Sequence, residues 1–337
     1  MLDERYVTLA HGNGGRLMRE LIEEVIAPRL ANPLLDAQVD AVAVAVPAGY
    51  GALMLTTDAF TVQPLEFPGG DIGTLAVHGT VNDLAVAGAT PRYMTLSLII
   101  EEGTEIALLD RIAASIGRAA REAGIAVVAG DTKVVRRGEG GGLYIAATGV
   151  GMRAHERRLG MREVRAGDRI LVSGPVGDHG IAVLLAREEF GLAGELCSDC
   201  ANVFDLTSAL LRLPGLRFMR DPTRGGLATV MHELSRGTGL GVRLRETAIP
   251  VRAAVRSVCD MLGYDPLYLA CEGRVAAVVD ENDAEAALEA WRALPAGRDA
   301  QIVGAMTAGR PHVVLQTEIG GERLLDELED DPLPRIC

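Results

Sequence analysis

Between residues 72 and 150 the chain alternates between apolar residues at helical spacing and apolar runs of strand length. No other feature constrains the fold as strongly. Residues 72–87 carry small apolar side chains at helical spacing, stopped by Gly88 with Pro91 just beyond. Residues 93–100 read as a buried strand. Residues 105–123 read as an amphipathic helix ending at Gly124, and 125–129 and 143–150 as further strands. Strand, helix and strand in succession predict an α/β (α+β) domain. Hydrophobic residues make up 48% of the chain but aromatics only 4%, so the layers must be packed mainly by Ala, Val, Leu and Ile. Forty glycines imply many tight turns and close backbone approaches.

Two such domains fit 337 residues. Residues 1–35 read as an arm, with a glycine turn from His11 to Gly15 and a helical stretch over 17–30. The pattern over 39–57, with its turn at 47–51, suggests a β-hairpin. A first domain over 36–155 ends in the basic, polar segment 152–158. A second α/β domain covers 156–316, starting with a strand at 169–173 and carrying helices near 179–189, 202–211, 225–236 and 283–293. Residues 317–337 form a C-terminal segment whose end holds Pro332, Pro334 and three acids. That end is expected to be extended and mobile, with no packing role.

The formal net charge of -13 disfavours nucleic acid and anionic membranes as partners. The N-terminus lacks the pattern of a signal peptide, and no apolar run is long enough to span a bilayer. Five cysteines, an odd number, fit a reducing compartment, so a cytoplasmic location is expected.

Four aspartates stand out by context. Asp58 and Asp131 end apolar strands, Asp83 lies inside an apolar helix, and Asp221 opens the segment before a helix. Each has an ordinary alternative: Asp58 could open a turn, Asp221 could cap a helix, Asp83 could face solvent. Asp83 shifts the balance, because a carboxylate in so apolar a stretch needs a partner and a metal supplies one. Carboxylates at element ends suit Mg²⁺ held against a polyphosphate. The glycine loops at 11–15 and 67–71 match neither the Walker pattern nor the dinucleotide fingerprint. A third loop, 173–180, reads as a plain strand-to-helix turn, His179 included.

Cys197 and Cys200 form a CxxC pair without the further ligands that structural zinc requires, so the pair reads as incidental. Cys337 is the last residue. A free thiol there is a nucleophile that a tail can carry into a pocket, although the adjacent terminal carboxylate disfavours its thiolate.

Together the motifs resemble one family, the HypE hydrogenase maturation proteins, within the superfamily of aminoimidazole ribonucleotide synthetase and selenophosphate synthetase. They are HGNGG (11–15), the block 56–91, GDTKVV (130–135), SGPVGDHG (173–180), RDPTRGGLA (220–228), CEGRV (271–275) and the closing PRIC (334–337). The resemblance implies a two-domain aminoimidazole ribonucleotide synthetase-like fold that pairs through its first domains into a homodimer. It implies ATP and Mg²⁺ as cofactors, with Asp58, Asn82, Asp83, Gly130, Asp131, Thr132 and Asp221 binding ATP. The metal ligands would be Asp58, Asp83, Asp221 and a first-position aspartate, which Asp40 matches best and Asp36 second. It also implies partners: a carbamoyltransferase (HypF) that loads a carboxamide on Cys337, and an iron-carrying scaffold complex (HypC-HypD) that receives cyanide for [NiFe]-hydrogenase.

The implied reaction is ATP-dependent dehydration of the S-carboxamide to an S-cyanide. Phosphorylating the amide oxygen makes it a leaving group, and removal of the N–H protons then leaves the nitrile. Lys133 is the candidate for stabilising the oxygen and phosphate, and Glu272 the candidate base. Without the resemblance, Glu272 reads as a surface carboxylate at a turn. The competing readings are another ATP-using synthetase of the superfamily and a non-catalytic maturation scaffold. The glycine loop at 11–15 has no cysteine for selenophosphate synthesis, and ring synthesis leaves Cys337 unexplained.

Overall fold

Four strands from the first half of the chain pair into one sheet, and most of the apolar runs read from the sequence are its strands. In the computed structural model the described residues are 5–8, 11, 20–34, 51–154, 158–187, 196–328, 333 and 336. The 11–15 loop beyond His11, residues 39–50 of the expected hairpin, Asp36, Asp40 and Cys337 lie outside them. The chain divides into two compact units. The first takes the described residues to Leu84 and from Ala89 to Ala154. The second takes Ala85–Gly88 and the described residues from Arg158 to Ile336.

The first unit opens with a π-helical turn, Ile22–Ile26, that runs into the short helix α1, Ala27–Leu30. Strand β1 is Ala52–Phe60; β2 (Glu66–Phe67) and β3 (Gly70–Asp71) form a small ribbon. Helix α2 (Ile72–Val86), strand β4 (Thr90–Glu101), helix α3 (Ile106–Glu122), and strands β5 (Ala126–Val135) and β6 (Leu143–Arg153) follow. The sheet order is β1-β6-β4-β5. Among the described residues its one parallel pair, β4 with β5, is joined by α3, as a parallel connection requires a crossover. Arg29 clamps α1 to α3 through two bonds to Asp110, of 2.7 and 2.8 Å.

Small residues let α2 lie close on the sheet. A Cβ on Gly149 of β6 would fall 2.6 Å from Thr80 Cγ2 of α2, so only glycine allows this approach. The strands alternate accordingly. Leu96, Leu98, Ile145 and Ala147 are buried on the helix-covered face, while Leu53 and Leu55 are exposed on the other.

The second unit is built on a seven-stranded sheet. Its strands are β7 (Arg169–Val172), β8 (Leu216–Arg220), β9 (Gly241–Arg245), β10 (Ala276–Val279), β11 (Gln301–Thr307), β12 (Val313–Gln316) and β13 (Glu322–Leu324), in the order β13-β12-β9-β11-β7-β10-β8. Among the described residues five helices accompany it: α4 (Asp178–Ala186), α5 (Phe204–Leu210), α6 (Gly226–Thr238), α7 (Ala253–Leu262) and α8 (Ala284–Arg292). Both faces are covered, which is why β10 reads as four apolar residues in a row. Ala276 and Val278 join a core with Leu227, Met231 and Leu234 of α6. Ala277 and Val279 join a second core with Leu206 of α5 and Trp291 of α8. Trp291 Nε1 donates to Leu206 O at 2.9 Å, so the single tryptophan is both buried and bonded.

Helix α7 is not among those expected from the sequence. Its buried stripe is only Val255, Val258 and Cys259, too narrow to stand out among the charged residues around it. Among the described residues no helix is long and apolar enough to cross a membrane.

Candidate active site

In the first unit the predicted residues fall into two groups. Asp83 lies on α2, and its Oδ2 accepts a bond from Thr56 Oγ1 of β1 at 2.6 Å. Asp58 stands two residues further along β1, on the same face as Thr56 and about 7 Å on. Its carboxylate also accepts the Ala59 amide at 2.8 Å. Asn82, next to Asp83, is buried. Asp58 and Thr56, the partner of Asp83, thus stand on one face near the end of β1.

The second group is elsewhere on the sheet. One row of paired residues crosses all four strands, Asp58–Ala147–Leu96–Gly130. Gly130 therefore shares the helix-covered face but stands three strand spacings away, about 14 Å. Asp131 belongs to the next row, with Ser97, Ala146 and Ala59, and so points to the opposite, open face. Lys133 lies on that face too, with Nζ 3.9 Å from Asp131 Oδ2 and both side chains exposed. Thr132 between them is buried. The chain thus gathers Asp58, Asn82 and Asp83 in one place and Asp131 with Lys133 in another.

In the second unit, Asp221 follows β8 and is buried. It is not the helix cap the sequence allowed: Gly225 holds the N-cap position of α6. The Asp221 loop is tied to the Glu272 loop, because the Cys271 amide donates to Pro222 O at 3.0 Å. Glu272 is only 2% exposed, which overturns its reading as a surface carboxylate. Its backbone is held on both sides by one loop. Its amide donates to Asp199 Oδ1 at 3.0 Å, and its carbonyl accepts the Ala201 amide at 3.3 Å. Gly273 is required next to it, since a Cβ there would lie 1.8 Å from Asp199 O.

Around these loops sits a charged cluster, buried except for Arg252, that the sequence did not reveal. Asp178 Oδ2 accepts Arg252 Nε at 2.8 Å and lies 3.6 Å from Arg274, and Arg274 Nε lies 3.3 Å from Asp199 Oδ2. Burial, then the neighbouring Asp199 charge, pushes the Asp178 carboxyl up to about 6, against the pull of both arginines. Burial also pushes the Cys271 thiol well up, so this cysteine is an inert core residue.

His179, on the first turn of α4, does more than make a turn. Its ring is fully buried, with Nδ1 2.8 Å from Ser198 Oγ and Nε2 2.8 Å from the carbonyl of Ile336. Ile336 is 4% exposed, and Leu333 is equally buried. The expectation that the C-terminal tail has no packing role is therefore corrected at these two residues: each apolar side chain gains by leaving water. Cys197 and Cys200 are not joined in a disulfide. Among the described residues no group of three or more His, Cys, Asp or Glu side chains is arranged to hold a metal.

The chain is 47% identical over 333 residues to carbamoyl dehydratase HypE of Azotobacter vinelandii, an alignment covering 98% of this chain and 97% of that one. It belongs to the HypE family. Residues 38–153 match the N-terminal domain of AIR synthase related proteins and 165–316 the C-terminal domain, consistent with the two-domain fold expected. Among solved HypE structures, one crystallised in complex with ATP superposes with a TM-score of 0.93 at 43% identity, covering 98% of this chain and 99% of the other. The HypE chain of a HypE-HypF complex gives a TM-score of 0.80 at 42% identity, over 91% and 99% of the two chains.

Ser198, Asp199 and Arg274 are the residues of this site that sequence reading missed. The available signal was polar residues inside otherwise tightly spaced segments: Ser198 and Asp199 lie between the two cysteines, and Arg274 follows Gly273.

Proposed function

We propose that this protein dehydrates an S-carboxamide on its own Cys337 to an S-cyanide at the expense of ATP, in the maturation of [NiFe]-hydrogenase. The observation that carries this reading is Glu272, buried and gripped through its backbone, in a chain so similar to a carbamoyl dehydratase. A carboxylate whose backbone is fixed by the 197–201 loop is well placed to act as a base toward an amide held beside it. Asp58 and Asp83 fit a divalent cation: they offer hard oxygen donors at one corner, with Asp83 oriented by Thr56. When bound, Mg²⁺ would neutralise the polyphosphate of ATP. Asn82, and Asp221 of the second unit, are proposed to bind ATP, and Asp40 is the proposed first-position ligand.

Loss of water from the carboxamide balances as ATP giving its terminal phosphoryl group to the amide oxygen, which leaves as phosphate. The two amide protons pass to base, with Glu272 proposed to take one. Lys133, a full positive charge on an open strand, is proposed to stabilise the oxygen and phosphate. Lys133 and Asp131 stand on the open face of the first sheet. That face is otherwise uncharged along Leu55–Val150–Tyr93 and Thr57–Thr148–Thr95. Leu55 there is 65% exposed, a pattern that suits a second copy of the chain, so the reading includes a homodimer through this face. HypF as carbamoyl donor, HypC-HypD as cyanide acceptor and a cytoplasmic location complete it.

The test is direct. The protein is carbamoylated with HypF and its substrates, then given Mg²⁺ and ATP. The C-terminal peptide should lose the mass of one water, and no other cysteine peptide should change. Water lost without ATP, or a carboxamide carried on another cysteine, would return the chain to a scaffold role.

A further inference from the structure

The loop from Cys197 to Ala201 holds two things at once. Through Asp199 and Ala201 it grips the backbone of Glu272 from both sides. Through Ser198 it reaches His179, whose other nitrogen meets the carbonyl of Ile336. That carbonyl is half of the peptide bond from which Cys337 hangs.

Counting donors and acceptors fixes the protons along this chain. A backbone carbonyl can only accept, so His179 Nε2 must carry the proton and donate to Ile336. In the neutral ring Nδ1 is then an acceptor, and Ser198 Oγ–H must donate to it. The Ser198 oxygen in turn accepts the Cys200 amide, at 2.9 Å. Every link has a donor and an acceptor in the right order, and burial, which lowers the affinity of His179 for a second proton, preserves that order. The bond is also buried, and a lost partner in such a place leaves a desolvated group behind. Leu333 and Ile336 anchor the segment by burial, but burial alone is tolerant of small displacements; the carbonyl bond is directional and fixes one peptide plane.

We propose that His179 and Ser198 are positioning residues: they hold the carbonyl of Ile336, the residue before Cys337, in fixed relation to Glu272 through the loop that touches both His179 and Glu272. This rests on the dehydratase reading for its consequence, but not for the latch itself. The geometry separates two jobs. Glu272 does chemistry; His179 and Ser198 decide how often the tail is presented to it. A hydrogen bond of this kind shifts a docked-to-undocked ratio by roughly threefold to tenfold. That is strong enough to favour docking and weak enough to let the tail leave for a donor or an acceptor protein.

The experiment uses the full-length protein with His179→Ala, His179→Gln and Ser198→Ala. Two readouts are taken: hydrogen–deuterium exchange of the C-terminal peptide without carbamoylation, and the single-turnover rate of water loss after carbamoylation, with ATP affinity measured in parallel. His179→Ala should speed tail exchange roughly threefold to tenfold and slow water loss at least as much, at unchanged ATP affinity. Ser198→Ala should show the same signs with smaller changes. His179→Gln should recover part of both effects, because its amide can donate to the carbonyl. If His179→Ala fails to fold, the other two variants carry the decision. Wild-type exchange in the variants overturns the latch, and so does slowed water loss with tail exchange unchanged. If the wild type itself loses no water, the dehydratase reading fails while the exchange arm still decides whether the latch exists.

Discussion

His179 Nε2 lies 2.8 Å from the carbonyl oxygen of Ile336, joining the first turn of α4 to the next-to-last residue of the chain across 157 positions of sequence. The apolar side chain of Ile336 supports that bond. Replacing it with serine removes burial that contributes roughly 1.5–3 kcal/mol. Ile336→Ser should therefore make the C-terminus more sensitive to carboxypeptidase while leaving the thermal midpoint of the protein within about 1 °C, because the loss is local. Limited proteolysis followed by intact mass reads the first effect, and calorimetry the second.

Glu272 and its neighbour separate chemistry from architecture. Glu272→Gln keeps the size of the side chain but removes its basicity, so water loss should fall by about 10²–10⁴ with ATP binding retained. Gly273→Ala keeps the carboxylate's chemistry but drives a methyl group into Asp199 O. The loop must shift, at a cost of roughly 1–3 kcal/mol in stability. Denaturant unfolding should therefore show a loss of stability in Gly273→Ala and little in Glu272→Gln, while single-turnover assays should show the larger loss in Glu272→Gln. A Glu272→Gln protein that dehydrates at the wild-type rate would remove the base from the mechanism.

Asp83 and Thr56 make a prediction about the cation. Asp83→Asn keeps an acceptor for the Thr56 hydroxyl but removes the charge, so affinity for Mg²⁺-ATP should fall at least tenfold in a folded protein. Thr56→Val leaves the charge and removes one bond that orients the carboxylate, with a smaller loss, about threefold. Calorimetric titration of both with Mg²⁺-ATP ranks them. An unchanged affinity in Asp83→Asn is the result that contradicts the assignment.

The Asp178 carboxyl gives a pH signature. Its folded-state value of about 6 lies above that of an unfolded aspartate, so the folded protein holds this proton more tightly. The group weakens the fold as pH rises from about 4 to about 6, and by pH 7 that loss is complete, about 3 kcal/mol at most. In Asp178→Asn this pH-dependent part disappears. The stability of wild type relative to the variant should therefore decline across pH 4 to 6.5, measured by urea unfolding at each pH. A difference that is flat across that window would place the ionisation elsewhere.

Most of the first unit was legible, because its periodicities are simple. The helices at 72–87 and 105–123 end within a residue or two of the expected positions, each stopped by a glycine. The strands β5 and β6 run further than expected, since their later residues are polar or charged on one face and only the other face is apolar. The candidate site was less legible. Asp58 and Asp83 announced themselves by polarity in an apolar setting, but nothing local places Asp131 and Lys133 on the other face; that depends on the register of β5 against β4, including its irregularity between Met94 and Thr95. His179 and Ser198 were hidden for a similar reason. A histidine in a glycine loop looks like any turn residue until a segment 157 positions away supplies the atom it bonds.

Lys133 carries a second duty by virtue of where it stands. β5 is a terminal strand of the first sheet, and among the described residues its outer backbone groups face no further strand. Such a rim invites strand addition by another molecule, and charged side chains are a common deterrent. Asp131 and Lys133 put one charge of each sign on that rim. A neutral substitution of Lys133 therefore leaves the rim with a lone aspartate and fewer solvated groups, and lost activity in Lys133→Ala could come from self-association as readily as from the missing ammonium. Lys133→Arg keeps the deterrent while changing the donor geometry, so light scattering on the pair of variants tells colloidal behaviour apart from chemistry.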